Sequence, residues 1–137
     1  MFTRGVSGES TVSENVLKAA FIYHFLNFIE WNDHLPNFNI CIPQDRELRS
    51  AMEDSLKGKM VNQRNIVVFA TSPVCHVVIS DQVVPSENTL TIGPLKQGAL
   101  LEFRLIDHKL KFAANVRKIK QSKIKISSQL LKLAILE

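Results

Sequence analysis

Between Val16 and Ile29, apolar residues fall at Val16, Leu17, Ala20, Phe21, Phe25, Phe28 and Ile29, in pairs about four apart. That spacing gives a helix a wide apolar face, and Ser10 or Ser13 supplies the hydroxyl that suits its N-cap. Phe21, Tyr23, Phe25, Phe28 and the following Trp31 make up half of the chain's ten aromatic residues. A helix this dense in large rings has to be covered by other elements, which makes it the expected anchor of the core. Asn32, Asp33 and His34 supply turn chemistry and Pro36 disfavours helix at the residue before it, so the helix is expected to stop between Trp31 and Pro36.

The rest of the chain alternates strand and helix patterns. Phe38, Ile40 and Ile42 alternate with Asn39 and Cys41 as a strand closed by Pro43. Asp45 then caps a helix with Leu48, Met52 and Leu56 on one side, ended by Gly58. Ile66 to Ala70 and Val77 to Ile79 are short β-branched runs that read as interior strands covered on both faces. A brief strand is expected at Thr89 to Ile92 and a loop or single turn at Leu95 to Gly98. Leu100–Ile106 and Lys109–Ala113 read as a hairpin turning at Asp107 and His108. Residues 115–122 read as helical or irregular, and Leu130, Leu131, Ala134 and Ile135 have helical spacing within Ser127–Leu136. The expected fold class is α/β: a single-domain mixed β-sheet flanked by helices, with a late β-hairpin and a C-terminal helix.

At 137 residues this is one domain, able to bury roughly two thirds of the surface its unfolded chain exposes. Residues 1–13 read as a flexible leader or cloning remnant and 14–137 as the domain. No run of 18 apolar residues occurs, so the sequence contains no apparent spanning segment. The net charge of +4 is unevenly placed: 9 basic and 2 acidic side chains fall in residues 104–137, against 8 and 11 before them. Arg117 to Lys125 is its densest stretch, and its simplest reading is a solvated face. A nucleic-acid footprint would interleave exposed aromatics with the charge, and the nearest aromatic is Phe112, so no nucleic-acid partner is expected.

Little local chemistry is visible. His24, His34, His76 and His108 have no metal-ligand spacing, and the glycine-rich phosphate loops are absent, so neither metal nor cofactor is expected. His24 reads as a hydrogen-bonded helix-surface residue and His108 as a turn residue. Glu30 beside Trp31 is a candidate for a carboxyl held in an apolar cleft, with packing at the helix end as the simpler reading. Cys41 and Cys75 read either as buried thiols or as a bridge. Neither sits in a Cys-x-x-Cys motif, and no convergent acid, base or nucleophile marks an enzyme.

One constellation goes further. The run Ala19 to Trp31 contains Phe21, Tyr23, Phe25, Phe28 and Glu30. Together with Phe38–Ile42, Cys75–Ile79, Leu90–Ile92, Leu110–Asn115 with Phe112, and Ile126–Ala134 with Ser127, Ser128, Leu130 and Leu131, it resembles the YfiR-like family of bacterial periplasmic proteins. The aromatic run ending in Glu-Trp and the closing Ser-Ser-x-Leu-Leu-x-Leu-Ala are its most specific pieces. The resemblance implies an exported, non-enzymatic regulator whose export signal has been removed. Such a regulator would be a homodimer that inhibits an inner-membrane diguanylate cyclase by contacting its periplasmic region, so lowering cyclic-di-GMP and biofilm formation. It also implies a second partner, an outer-membrane peptidoglycan-binding lipoprotein that relieves the inhibition, and a Cys41–Cys75 disulfide. The matched residues are mostly apolar and expected in the core. Two features depart from the family: a second cysteine pair is missing, and Gly98-Ala99 stands where the family has Gly-Gly. An alternative is a small-molecule-binding envelope sensor in which the aromatic helix lines an apolar pocket. A third reading is a basic adaptor for nucleic acid or an acidic cell-wall polymer through Arg117 to Lys125.

Overall fold

The computed structural model describes residues 6–84 and 86–137, with side chains from residue 14 onward. The first helix, α1, spans Val6–Asn27. It begins upstream of Ser10 and Ser13, so neither is its N-cap, and it stops short of Trp31. Two side chains explain the early end. Asn27 Nδ2 folds back onto the Tyr23 carbonyl (2.9 Å), and the Trp31 indole N–H donates to the Leu26 carbonyl (3.1 Å), satisfying an acceptor that a further turn would have used. Ile29–Glu30 leaves as a short strand, β1.

The chain continues through β2 (Asn37–Cys41), α2 (Arg46–Leu56), β3 (Met60–Val61), β4 (Arg64–Phe69), β5 (Val77–Ile79) and β6 (Leu90–Ile92). A 3-10 turn at Leu95–Gln97 leads to β7 (Leu101–Ile106) and β8 (Lys109–Ala114). These are followed by α3 (Val116–Gln121), β9 (Lys125–Ile126), α4 (Ser128–Leu131) and β10 (Ile135–Leu136). As expected, Asp45 caps α2, accepting from the Leu48 N–H at 3.0 Å, and Gly58 follows the helix with φ +78°. The expected hairpin turn holds too, with Asp107 and His108 both left-handed at φ 51° and 64°, as a two-residue turn of the primed type requires.

Among the described residues eight strands form one sheet in the order β10-β8-β7-β6-β5-β2-β4-β3. The strands from β4 to β7 run parallel, β8 and β3 are antiparallel to their neighbours β7 and β4, and β10 is parallel to β8. This is the mixed α/β sheet that the sequence predicts. From β2 the chain crosses through α2 to β4 on one side, then returns to β5 on the other, so the order of the parallel strands reverses at β2–β5.

Helices α1 and α2 pack on each other and on β8 and β4 respectively, which places both on one face of the sheet. Phe25, Ile22, Leu26, Phe38, Ile40, Met52, Leu101 and Phe112 are fully or almost fully buried there. The Phe25 and Phe112 rings meet edge-to-face at 5.0 Å, and Phe21 packs on both Phe25 and Phe103. The aromatic helix therefore fills the core.

Three further elements differ from expectation. The strand read at Ile66–Ala70 begins at Arg64, ends at Phe69 and is mostly half-buried, because only the two-residue β3 separates it from the sheet edge. The β3–β4 hairpin itself was not anticipated: Asn62 and Gln63 make its turn at φ 51° and 67° without the glycine that usually signals one. The C-terminal helix is the single turn Ser128–Leu131, and Ile135–Leu136 instead pairs with Ala113–Ala114 as β10. Backbone groups left open by the edge of β8 outcompete the helical spacing there.

Candidate functional site

The amino-terminal ends of β2 and β5 hold a polar cluster built on Asp33, Arg64 and His76. Asp33, in the loop entering β2, accepts from Arg64 Nη1 (2.7 Å) and the Leu35 N–H (3.0 Å) on Oδ1, and faces His76 Nε2 at 3.1 Å through Oδ2. The Asp33 carbonyl takes a second guanidinium nitrogen of Arg64 at 2.5 Å. Burial by itself would raise the Asp33 pKa. The hydrogen bonds from His76, Leu35 and Arg64 outweigh it and hold the carboxyl at about 2, below its ordinary 3.8.

His76 is 3% exposed and doubly fixed. Its backbone N–H donates to the Asn39 carbonyl (2.8 Å), and the Asn39 backbone N–H donates to His76 Nδ1 (3.0 Å). With Nδ1 accepting, the network assigns the ring hydrogen to Nε2, which donates it to Asp33. The His76 imidazole thus extends a strand ladder and orients a carboxylate at once. Trp31 meets the His76 ring edge-on at 5.4 Å, and the Arg64 guanidinium lies 4.5 Å from the centre of the Phe38 ring.

A cleft of about 480 Å³ opens beside this cluster, with Trp31, Asp33, Leu35, His76, Asn88 and Ile124 among its walls. Cys75 also borders it, and Cys75 is bonded to Cys41 across a Cα–Cα distance of 5.9 Å. A smaller cleft of about 270 Å³ lies at the carboxyl ends of β5 and β6, between Asp45, Ser80 and Glu102. There Asp45 Oδ1 is engaged in capping α2 and Glu102 Oε1 in binding Arg104 at 2.9 Å.

The other residues singled out by sequence are dispersed. Glu30 is not in an apolar cleft: its side chain is 65% exposed, 3.9 Å from Lys125. The neighbouring Asp33 is the enclosed carboxylate. Tyr23 and Phe28 are half-buried against the core, and the exposed His24 stacks on Phe28. Asn115 and Ser127 cap α3 and α4, Ser128 is exposed, and Leu130 and Leu131 pack inward. Arg117, Lys118 and Lys120 stand exposed on α3, while Lys123 pairs with Glu87 at 3.4 Å. The sequence reading did not associate Asp33, Arg64 and His76, because 31 and 43 residues separate Asp33 from its two partners. His76 directly follows Cys75, and its position there is the one signal available.

Comparison with known families settles the affiliation. A family described as YfiR/HmsC-like matches residues 15–135. The chain belongs to this YfiR/HmsC-like family. No curated protein aligns with it significantly. The match spans every element from the body of α1 to β10, so the cleft and the disulfide both lie within the family region. No helix among the described residues is long and apolar enough to cross a membrane.

Proposed function

We propose that this YfiR/HmsC-like protein is a periplasmic, non-catalytic regulator that inhibits an inner-membrane diguanylate cyclase by contact with its periplasmic region. The family match over residues 15–135 carries the reading. The Cys41–Cys75 bond supports it, since disulfides persist in oxidising compartments. Inhibition works by population shift: the regulator binds the inactive conformation of the cyclase more tightly than the active one. Moving the cyclase from about 99% active to 99% inactive needs roughly a 10⁴-fold preference, about 5.5 kcal/mol of differential contact. Homodimerisation and sequestration by an outer-membrane peptidoglycan-binding lipoprotein complete the proposal.

The test is binding of the oxidised protein to the purified periplasmic region of the cyclase encoded nearest its gene, with cyclic-di-GMP measured in a deletion strain. Complex formation and a rise in cyclic-di-GMP are expected. Absence of binding together with unchanged cyclic-di-GMP overturns the reading. A second reading, a small-molecule sensor, is favoured by the cleft beside Trp31, which lies past the end of the aromatic helix.

A further inference from the structure

Resting on the sensor reading, we propose that the cleft beside Trp31 binds an uncharged, polyhydroxylated pyranose ligand, because an aromatic side chain, a rigidly held carboxylate and the Asn88 amide line it together.

A carboxylate offers about four acceptor sites. Arg64, Leu35 and His76 fill three on Asp33, leaving one on Oδ2, and the side chain is still 33% exposed. Three donors from β4, the Asp33 loop and the segment before β5 therefore pre-orient an acceptor that a ligand hydroxyl can reach without reorganising the site. Trp31 is fixed in the same way, its N–H held by the Leu26 carbonyl and its ring packed against His76 and Phe38. Leu35 and Ile124 extend the apolar wall, and the exposed Asn88 brings one amide with both donor and acceptor character.

An apolar wall with polar groups at its margin matches a ring that has a C–H face and a rim of hydroxyls. The local charges favour a neutral ligand. Glu30 is countered by Lys125, Asp33 by Arg64 and Lys123 by Glu87, so neither a free anion nor a free cation gains a clear Coulombic advantage. At about 480 Å³ the cleft lies within the usual range of small-molecule sites, about 300–1,000 Å³, and has room for a short oligosaccharide.

Trp31 is the single tryptophan of the chain and so an unambiguous reporter. The oxidised full chain is titrated with cellobiose, N,N′-diacetylchitobiose and, as a cationic comparator, choline chloride, following Trp31 fluorescence and heat. A saturable response to at least one disaccharide in the millimolar range or tighter is expected. Asn88→Ala should weaken it about tenfold, the loss of roughly one hydrogen bond, with the melting temperature unchanged. Which disaccharide responds separates an amino-sugar source from a glucan one. Silence toward both disaccharides overturns the proposal, and saturation by choline alone does so while leaving the sensor reading standing. Disaccharide binding unaffected by Asn88→Ala overturns the placement in this cleft. Cyclase binding without any saccharide response sinks this inference and leaves the main functional reading intact.

Discussion

Reduction of the Cys41–Cys75 bond should lower the stability of the fold by an amount set mainly by chain length. The two cysteines are 34 residues apart, and the loop they close contains α2, β3 and β4. In the chain-entropy account, opening a loop of that length releases about 3.8 kcal/mol of denatured-state entropy at 25 °C. A globular chain gains about 2.1 cal/mol/K per residue on unfolding, so 137 residues give about 0.29 kcal/mol/K and a fall in Tm of about 13 °C. The native contacts change little, because Cys41 is already next to β5 through the Ile40–Val77 and Cys41–Val78 pairs of the ladder. Far-UV circular dichroism melts of the oxidised chain, with and without a phosphine reductant, measure the difference. Intact mass under non-reducing conditions, two hydrogens below the dithiol value, confirms the starting state. Melts that coincide within about 4 °C, or a native mass with both thiols free, would refute the reasoning.

Other perturbations probe separate parts of the structure. Asp33→Asn should cost about 1–2 kcal/mol at pH 7 in urea unfolding, discounted because the carboxylate is one-third exposed. Its folded pKa is lowered to about 2, so the wild-type advantage is full above 3.8 and closes as pH falls through 2; a gap unchanged at pH 2 contradicts the assignment. Phe112→Ala removes a ring that is 2% exposed and in contact with Phe25, and should cost about 3–5 kcal/mol in the same assay. Gly93→Ala places a Cβ 2.2 Å from the Ser80 carbonyl oxygen, a backbone clash expected to destabilise by at least about 1–3 kcal/mol and visible as a lower Tm. His108→Gly relieves a left-handed residue at φ 64° and should raise Tm slightly, by the equivalent of about 0.5 kcal/mol.

Much of the fold was legible because it depends on short-range periodicity. The alternation at Phe38–Ile42, the Asp45 cap and the two-residue turn at Asp107–His108 each involve neighbours within a few positions, where local sterics and hydrogen bonding dominate. The β3–β4 hairpin escaped notice because Gln63 occupies a position where glycine is the usual signal. The expected C-terminal helix is present at Ser128–Leu131 but ends early for a different reason: Ile135 and Leu136 satisfy helical spacing, yet the open edge of β8 offers them partners no local pattern can reveal.

The site divides along the same line. The sequence by itself determined a mixed α/β domain anchored by an aromatic helix, and its motifs carried the family resemblance, since both are written in residue type and spacing. Only the tertiary structure decided that the Glu30 carboxylate faces solvent while Asp33 is clamped by Arg64 and His76. Those three residues lie on separate segments, and their meeting follows from the parallel pairing of β2 with β4 and β5. Strand order is settled by burial summed over the whole chain, and a cluster assembled across strand ends inherits that non-local origin.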